Sequence, residues 1–571
     1  MPACAGLAML WPVCAGVSST GKKDKGTMTA RAFFKGTLLA AVAATTLLSG
    51  AMMGAQPAAA KTFKWANDGD VNSLDPYARN ETFLLSFVSN IYEPLMRRDK
   101  NLQLEPALAT KVENTSPTVW RYTLRQGVKF SDGSPFTADD VVFSYMRAAG
   151  KGSNMASYFV SMKEVRKVSD FVVEIETKYP DPLFSSKMAQ IYIMSKAWAE
   201  KNNATNTADM TKNEENFATR NAMGTGPFMV SVREPDVRTV LKPNAGWWDK
   251  PEHNLTEVIF QRIANDATRV AALLSGEIDM VYTVPPQDVD RIKRTAGRRI
   301  IEGPETRIVF LGFNQQLDEL PESNVKGKNP YKDKRVREAM YRAIDIEAIK
   351  RTVMRGQARP TALMVGQGIN GYIADLDKRP GYDPELSKKL LAEAGYPNGF
   401  ETGMDCPNDR YVNDEAICQA AVAMLARVGV KVKLLAQTRG KYFAKILRTS
   451  SDVEKSPNTD FYMLGWSPAA TYDAHNVFEA LIQTPSNATK KGLFNAGGYS
   501  NKKVDELADA MERETDVAKR NAMISEATKL YVDDFAYIPL HQQFVVWAAK
   551  EGVNLVQLAD NNFPLRYVTI K

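Results

Sequence analysis

The segment Trp120–Arg147, WRYTLRQGVKFSDGSPFTADDVVFSYMR, decides how the chain folds. Trp120, Tyr122 and Leu124 alternate with Arg121, Thr123 and Arg125, the period of a half-buried strand. Gln126-Gly127 turns the chain, Val128-Lys129-Phe130 resumes it, and Ser131 to Pro135 form a second turn from residues that tolerate special dihedrals. Thr137, with Asp140 three positions on, is spaced as a capping box. It opens a helix whose pairs Val141/Tyr145 and Val142/Met146 lie four apart. The unit reads strand–turn–helix, and it holds no nucleophile–base pair and no phosphate cradle.

Working outward, 571 residues are too many for one core and imply two or three domains. The composition, 44% apolar and 24% charged, is that of a globular protein. Lys22, Lys23, Lys25, Arg31 and Lys35 against Asp24 place +4 of the formal +7 charge in the first sixty residues. The small positive remainder is no nucleic-acid footprint.

Those sixty residues read as a targeting segment. From Met28, an alternative start, Arg31 and Lys35 make a positive n-region, Thr37–Gly50 an apolar h-region, and Ala58-Ala59-Ala60 a small-residue cleavage site. The apolar run falls short of the roughly 20 residues of a membrane span, and no cysteine follows it for a lipid anchor. The mature chain is expected to begin near Lys61, exported across one membrane and soluble. It keeps only Cys406 and Cys418, which an oxidising compartment would pair around Asn408, Arg410 and Tyr411; two buried free thiols are the alternative.

The opening segment is similar to the signature of the dipeptide-, oligopeptide- and nickel-type solute-binding proteins of ABC transporters, family 5. Further markers resemble the same family: Ser73-Leu74-Asp75-Pro76, Tyr92-Glu93-Pro94-Leu95, Gly224-Thr225-Gly226-Pro227-Phe228, the ALLSGEIDM stretch ending at Met280, and DKRVREAMYRAIDIEAI from Asp333. The resemblance covers nearly all of residues 61–571. It implies an α/β, two-lobed periplasmic binding protein fold with an extra inserted domain. The pieces would be domain I from 61–98, 222–313 and 538–571, domain II from 99–221, and domain III from 314–537.

Residue patterns agree with an α/β chain. Asp266 is read as capping a helix ended by Gly276, Asp383-Pro384 starts another, and from Thr402 to Gly465 strands and helices alternate. The glycines of GTGPF are read as a structural turn, since no phosphate-binding pattern follows them. An interdomain crossing is placed near Phe313, with a return strand from Ile538.

The three histidines, His253, His475 and His541, lack metal-ligand spacing, and no GxSxG, HExxH or Walker motif is present. No cofactor, metal or catalytic residue is expected. A binder needs instead a shaped cleft with a few placed polar groups. The loop after the strand Phe461–Leu464, GWSPAATYDAHNVF, lies at a carboxyl end, where open α/β sheets bind ligands. In peptide-binding members an Asp three residues after the Trp holds the ligand's ammonium, and here that position is Ala469. Either Asp473 takes the role, with a helix N-cap as its structural alternative, or the ligand is not a free-amine peptide.

Trp466 and Tyr472 are candidate walls or core residues. Asn408, Arg410 and Tyr411 are candidates at the same sheet edge, Arg410 as a carboxylate clamp. Arg439 follows the next strand, and Asn80 and Phe83 represent the opposite lobe. The expected protein is a monomeric binder of a peptide or peptide-like solute, serving an ABC permease and ATPase. A non-peptide solute (an opine, a sugar-like compound or a metal chelate) is the alternative, and a secreted hydrolase the competing class.

Overall fold

The computed structural model describes residues 61–571 except 213 and 449–451, so the targeting segment and the start at Met28 lie outside the described residues. Within them the opening segment forms as its pattern requires. Val119–Leu124 is a strand with Tyr122 and Leu124 buried, and Ala138–Ala149 is a helix capped by Thr137. The capping box is complete, with the Thr137 backbone N–H donating to Asp140 Oδ2 at 2.9 Å. Val141 and Tyr145 are buried, whereas Val142 is half-buried and Met146 is 56% exposed, so only the first pair faces the core.

This unit belongs to a four-stranded antiparallel sheet, ordered Ala109–Ser116, Val119–Leu124, Val172–Thr177 and Met162–Ser169. A much larger mixed sheet of eleven strands organises the rest. From one edge its order is Val430–Gln437, Phe400–Pro407, Phe461–Trp466, Arg298–Phe313, Tyr537–Lys550, Met280–Val281, Thr62–Asn67, Glu257–Arg262, Arg238–Pro243 and Phe228–Glu234, with Ala358–Pro360 also paired to Tyr537–Lys550.

Two long central strands join the halves. Arg298–Pro304 pairs antiparallel with Phe544–Lys550, and Ile308–Gly312 pairs with Tyr537–Gln542. Between these blocks the register breaks, from Pro304 to Ile308. The side chains change core at that break. Ile301, Val545, Trp547 and Ala549 pack into the first lobe, and Val309, Leu311, Phe313, Ile538 and Leu540 into the second. The crossing therefore falls at Pro304–Ile308 and around Gln543, ahead of Phe313 on one strand and beyond Ile538 on the other. A break in ladder hydrogen bonds between two packed cores is the place where a sheet bends at least cost.

Local chemistry explains two further points. The helix Asp266–Ser275 is capped by Asn265, whose side chain accepts from Thr268 N–H, rather than by Asp266; Gly276 closes it in the left-handed region, at φ 88°. In GTGPF, a Cβ on Gly224 would lie 2.0 Å from the Ile91 carbonyl oxygen, so the motif is a close backbone crossing. Among the described residues no helix is long and apolar enough to cross a membrane.

Candidate functional site

The two lobes are in contact, and the groups that meet between them define the site. The register break carries Glu305, Thr306 and Arg307, all buried. Arg307 Nε donates to Glu305 Oε1 at 3.1 Å, and Gln543 Nε2 on the other central strand donates to Glu305 Oε2 at 2.7 Å. The Gln543 side-chain oxygen in turn accepts from Val412 N–H at 3.3 Å. Gln543 thus ties the hinge to the loop that carries Arg410.

That loop is built rigidly. Cys406 and Cys418 are disulfide-bonded across a sequence separation of 12. Inside the ring they close, the buried Asp414 carboxylate accepts from the backbone N–H groups of Arg410 (2.9 Å), Tyr411 (3.0 Å) and Glu415 (2.9 Å). Tyr411 packs against Gly465, where a Cβ would approach its ring to 2.7 Å. Its hydroxyl donates to the Gly465 carbonyl at 3.3 Å.

Arg410 sits over the Tyr411 ring at 5.2 Å, and no carboxylate lies within ion-pair distance of it among the described residues. Burial holds its guanidinium below the usual arginine range, and the neighbouring Arg307 pushes the same way; Glu305 and Glu81 of the opposite lobe oppose them weakly. Two guanidinium groups side by side, one of them paired only to Glu305, make a site that favours an added anion.

The loop after Phe461–Trp466 forms the facing wall. Trp466 stands opposite Ile308, beside the break, with its Nε1 donating to Asn476 Oδ1 at 2.9 Å and its ring 4.7 Å from that of Phe494. It is half-buried, so core contact and an accessible edge coexist. Ser467 Oγ lies 2.6 Å from Thr306 Oγ1, and Thr306 N–H donates to the Ala559 carbonyl at 2.7 Å, which brings in the loop Leu558–Asn562. Tyr472, at φ 56° in the left-handed region, donates its hydroxyl to Asp560 and lies under Arg98 of the first lobe at 3.8 Å.

Asp473 is not available to a ligand. It is 3% exposed, and Arg520 grips both its oxygens, Nη1 at 2.6 Å. Asn370 Nδ2 and His475 N–H complete its shell at 2.8 Å each. Burial alone would raise this carboxyl, but the Arg520 guanidinium outweighs it and leaves the pKa below the ordinary range.

The other sequence candidates divide. Phe83 is a core residue, 5.5 Å from the Tyr282 ring and 5.6 Å from that of Phe260. Asn408 and Arg439 are exposed at an outer turn, where Asp409 accepts from the Arg439 backbone. Asn80 is exposed and donates to the Tyr158 hydroxyl at 3.2 Å. Glu305, Arg307 and Gln543, which no sequence motif marks, join the candidates through their mutual contacts.

The sequence model of the bacterial extracellular solute-binding proteins, family 5 middle region, matches residues 103–488. The chain belongs to this family. Members are the solute-binding components of ABC importers, working with a membrane permease and an ATPase. Among curated relatives, the glutathione-binding protein GsiB of Escherichia coli K12 is 25% identical over 529 residues, 92% of this chain and 96% of that protein. Solved structures share the two-lobed fold. The periplasmic binding protein DppA of Helicobacter pylori, in complex with the peptide STSA, superposes with a TM-score of 0.72 at 23% identity, covering 89% of this chain and 98% of its own. AgaA of A. tumefaciens R10, in complex with agropinic acid, gives 0.71 at 21% identity, covering 89% and 99%.

Proposed function

We propose that this family 5 protein captures a short peptide or peptide-like solute with at least one carboxylate, and that it works as an exported periplasmic monomer. Arg410 carries the reading. It is a half-buried guanidinium without a carboxylate partner among the described residues, seated on a disulfide-closed loop, and the Arg307 charge beside it adds to the cost of its own. Burying an unmatched cation is unfavourable, and a bidentate carboxylate from the solute would offset that cost. Such a solute touches both lobes, so it binds the closed form better than the open one and drives closure without any covalent chemistry. The peptide STSA held by DppA and the glutathione bound by GsiB support the class.

The second reading, an opine-like or other non-peptide acid, is favoured by Ala469, which removes the carboxylate expected to hold a peptide's ammonium, and by the shared fold of AgaA. Both readings keep the anion at Arg410. The test is to denature protein purified from its own periplasm and identify the released solute by mass spectrometry. A carboxylated solute that on return compacts the protein in small-angle scattering supports the reading. A neutral or cationic solute, or turnover of the returned compound, would defeat it.

A further inference from the structure

A chain of neutral hydrogen bonds crosses the closed cleft at its other end. Asn80 Nδ2 donates to the Tyr158 hydroxyl at 3.2 Å, Tyr158 donates to Gln190 Oε1 at 3.2 Å, and Gln190 Nε2 donates to the Ala469 carbonyl. The first three residues lie in the first lobe and the inserted sheet region, and Ala469 packs with the core of the second lobe. The last link therefore exists only when the lobes are together.

Every group in this chain is uncharged. Burial pushes the Tyr158 phenol up to about 12, so it stays a neutral donor. The nearby carboxylates are already matched: Asp473 is paired with Arg520, Asn370 and His475 N–H, and Asp560 is bonded to Tyr472 and Asn562 with the Arg98 guanidinium acting on its charge. Glu81, next to Asn80, commits one oxygen to the Leu84 N–H at the start of its helix. An ammonium closed into this end would lose its hydration without gaining a counter-charge, which is strongly unfavourable. An amide or hydroxyl would be fully satisfied, because a glutamine offers a donor and an acceptor side by side.

Building on the peptide-like reading above, we infer that Gln190 is a specificity-determining residue that reads an uncharged amide or hydroxyl of the solute. The favoured class is then an N-acylated or amide-blocked peptide-like acid, its blocked end at Gln190 and its carboxylate at Arg410. Gln190 swings from the Ala469 carbonyl to the solute's amide, exchanging one neutral hydrogen bond for another.

The experiment compares a library of free-amine dipeptides with its N-acetylated counterpart, by calorimetry on the mature protein. The wild type is expected to bind the acetylated members about tenfold or more tightly than their free-amine twins. Gln190→Leu, which keeps the volume and loses both polar atoms, should shrink that preference to within about threefold. Ala469→Asp, which restores a counter-charge, should reverse it. A wild type that binds free amines as well as or better than acetylated peptides overturns the inference and leaves the peptide reading standing, as does a Gln190→Leu protein of unchanged melting temperature with unchanged preference. Binding of neither library overturns the peptide reading itself, and this inference with it.

Discussion

Replacing Arg520 by Leu gives the sharpest stability prediction. The Arg520 and Asp473 side chains are 5% and 4% exposed, and they meet through two charge-assisted hydrogen bonds. Removing the guanidinium strands a buried carboxylate that keeps only Asn370 Nδ2 and the His475 N–H. Breaking such a pair costs about 3–5 kcal/mol, whereas replacing both partners by apolar residues is close to neutral. Urea unfolding of the mature protein near neutral pH should show that loss in Arg520→Leu, and most of it recovered in the Asp473→Leu/Arg520→Leu double variant. The pH dependence has a definite sign. Asp473 titrates below its unfolded value of about 3.9, so its contribution is complete above that pH and is lost as pH falls through the folded pKa. The double variant should lack this acid limb. A cost below about 1 kcal/mol in Arg520→Leu would refute the buried-pair reasoning. A well-folded double variant that no longer binds solute would return Asp473 to the ligand.

Three other perturbations follow from the same geometry. Tyr179 donates to Glu512 across the lobes at 3.0 Å, with Arg513 5.0 Å from its ring, so Tyr179→Phe should destabilise the closed form by about 1 kcal/mol. Stopped-flow release should then show solute affinity weakened about fivefold, mainly through a faster off-rate; unchanged release would mean the contact does not hold the lobes. Cys406→Ser with Cys418→Ser opens a loop of separation 12, which should cost about 3 kcal/mol in chemical unfolding and weaken solute binding through Arg410; full stability in the variant would contradict the loop's assigned rigidity. His541 is fully buried, both its ring nitrogens lack a hydrogen-bond partner among the described residues, and burial, helped by Arg379, lowers its pKa to about 4. The unfolded chain takes up this proton first, so melting temperature should fall as pH drops from about 6.5 to about 4, and His541→Leu should flatten that limb.

Much of the fold was readable because local signals agreed with one another. The Thr137/Asp140 box, the Asp383-Pro384 start and the alternation from Thr402 to Gly465 each form where spacing places them. The change of core along the central strands was hard to place for a physical reason. Arg298–Phe313 is one continuous strand, and within it only the buried Glu305-Thr306-Arg307 marks where one core gives way to the other. Among the candidate site residues, those close in sequence sit together, such as Arg410 over the Tyr411 ring. Asp473 misled because its partner, Arg520, lies 47 residues away. Phe83 misled because a ring beside a polar loop reads equally as wall or core. The neutral bridge through Tyr158 and Gln190 joins residues from separate parts of the chain, and no spacing rule connects them.

The central claim is that Arg410 holds the solute's carboxylate as the lobes close. It is tested most directly by calorimetric titration of wild type and Arg410→Ala with the identified solute and its carboxamide. A hydrogen-bonded charge pair of this kind contributes about 1.5–3 kcal/mol, so wild type should bind the acid about 10- to 150-fold more tightly than the amide. Arg410→Ala, with unfolding unchanged, should lose most of that difference and bind the amide nearly as the wild type does. Equal losses for acid and amide, or no loss for either, would contradict the account.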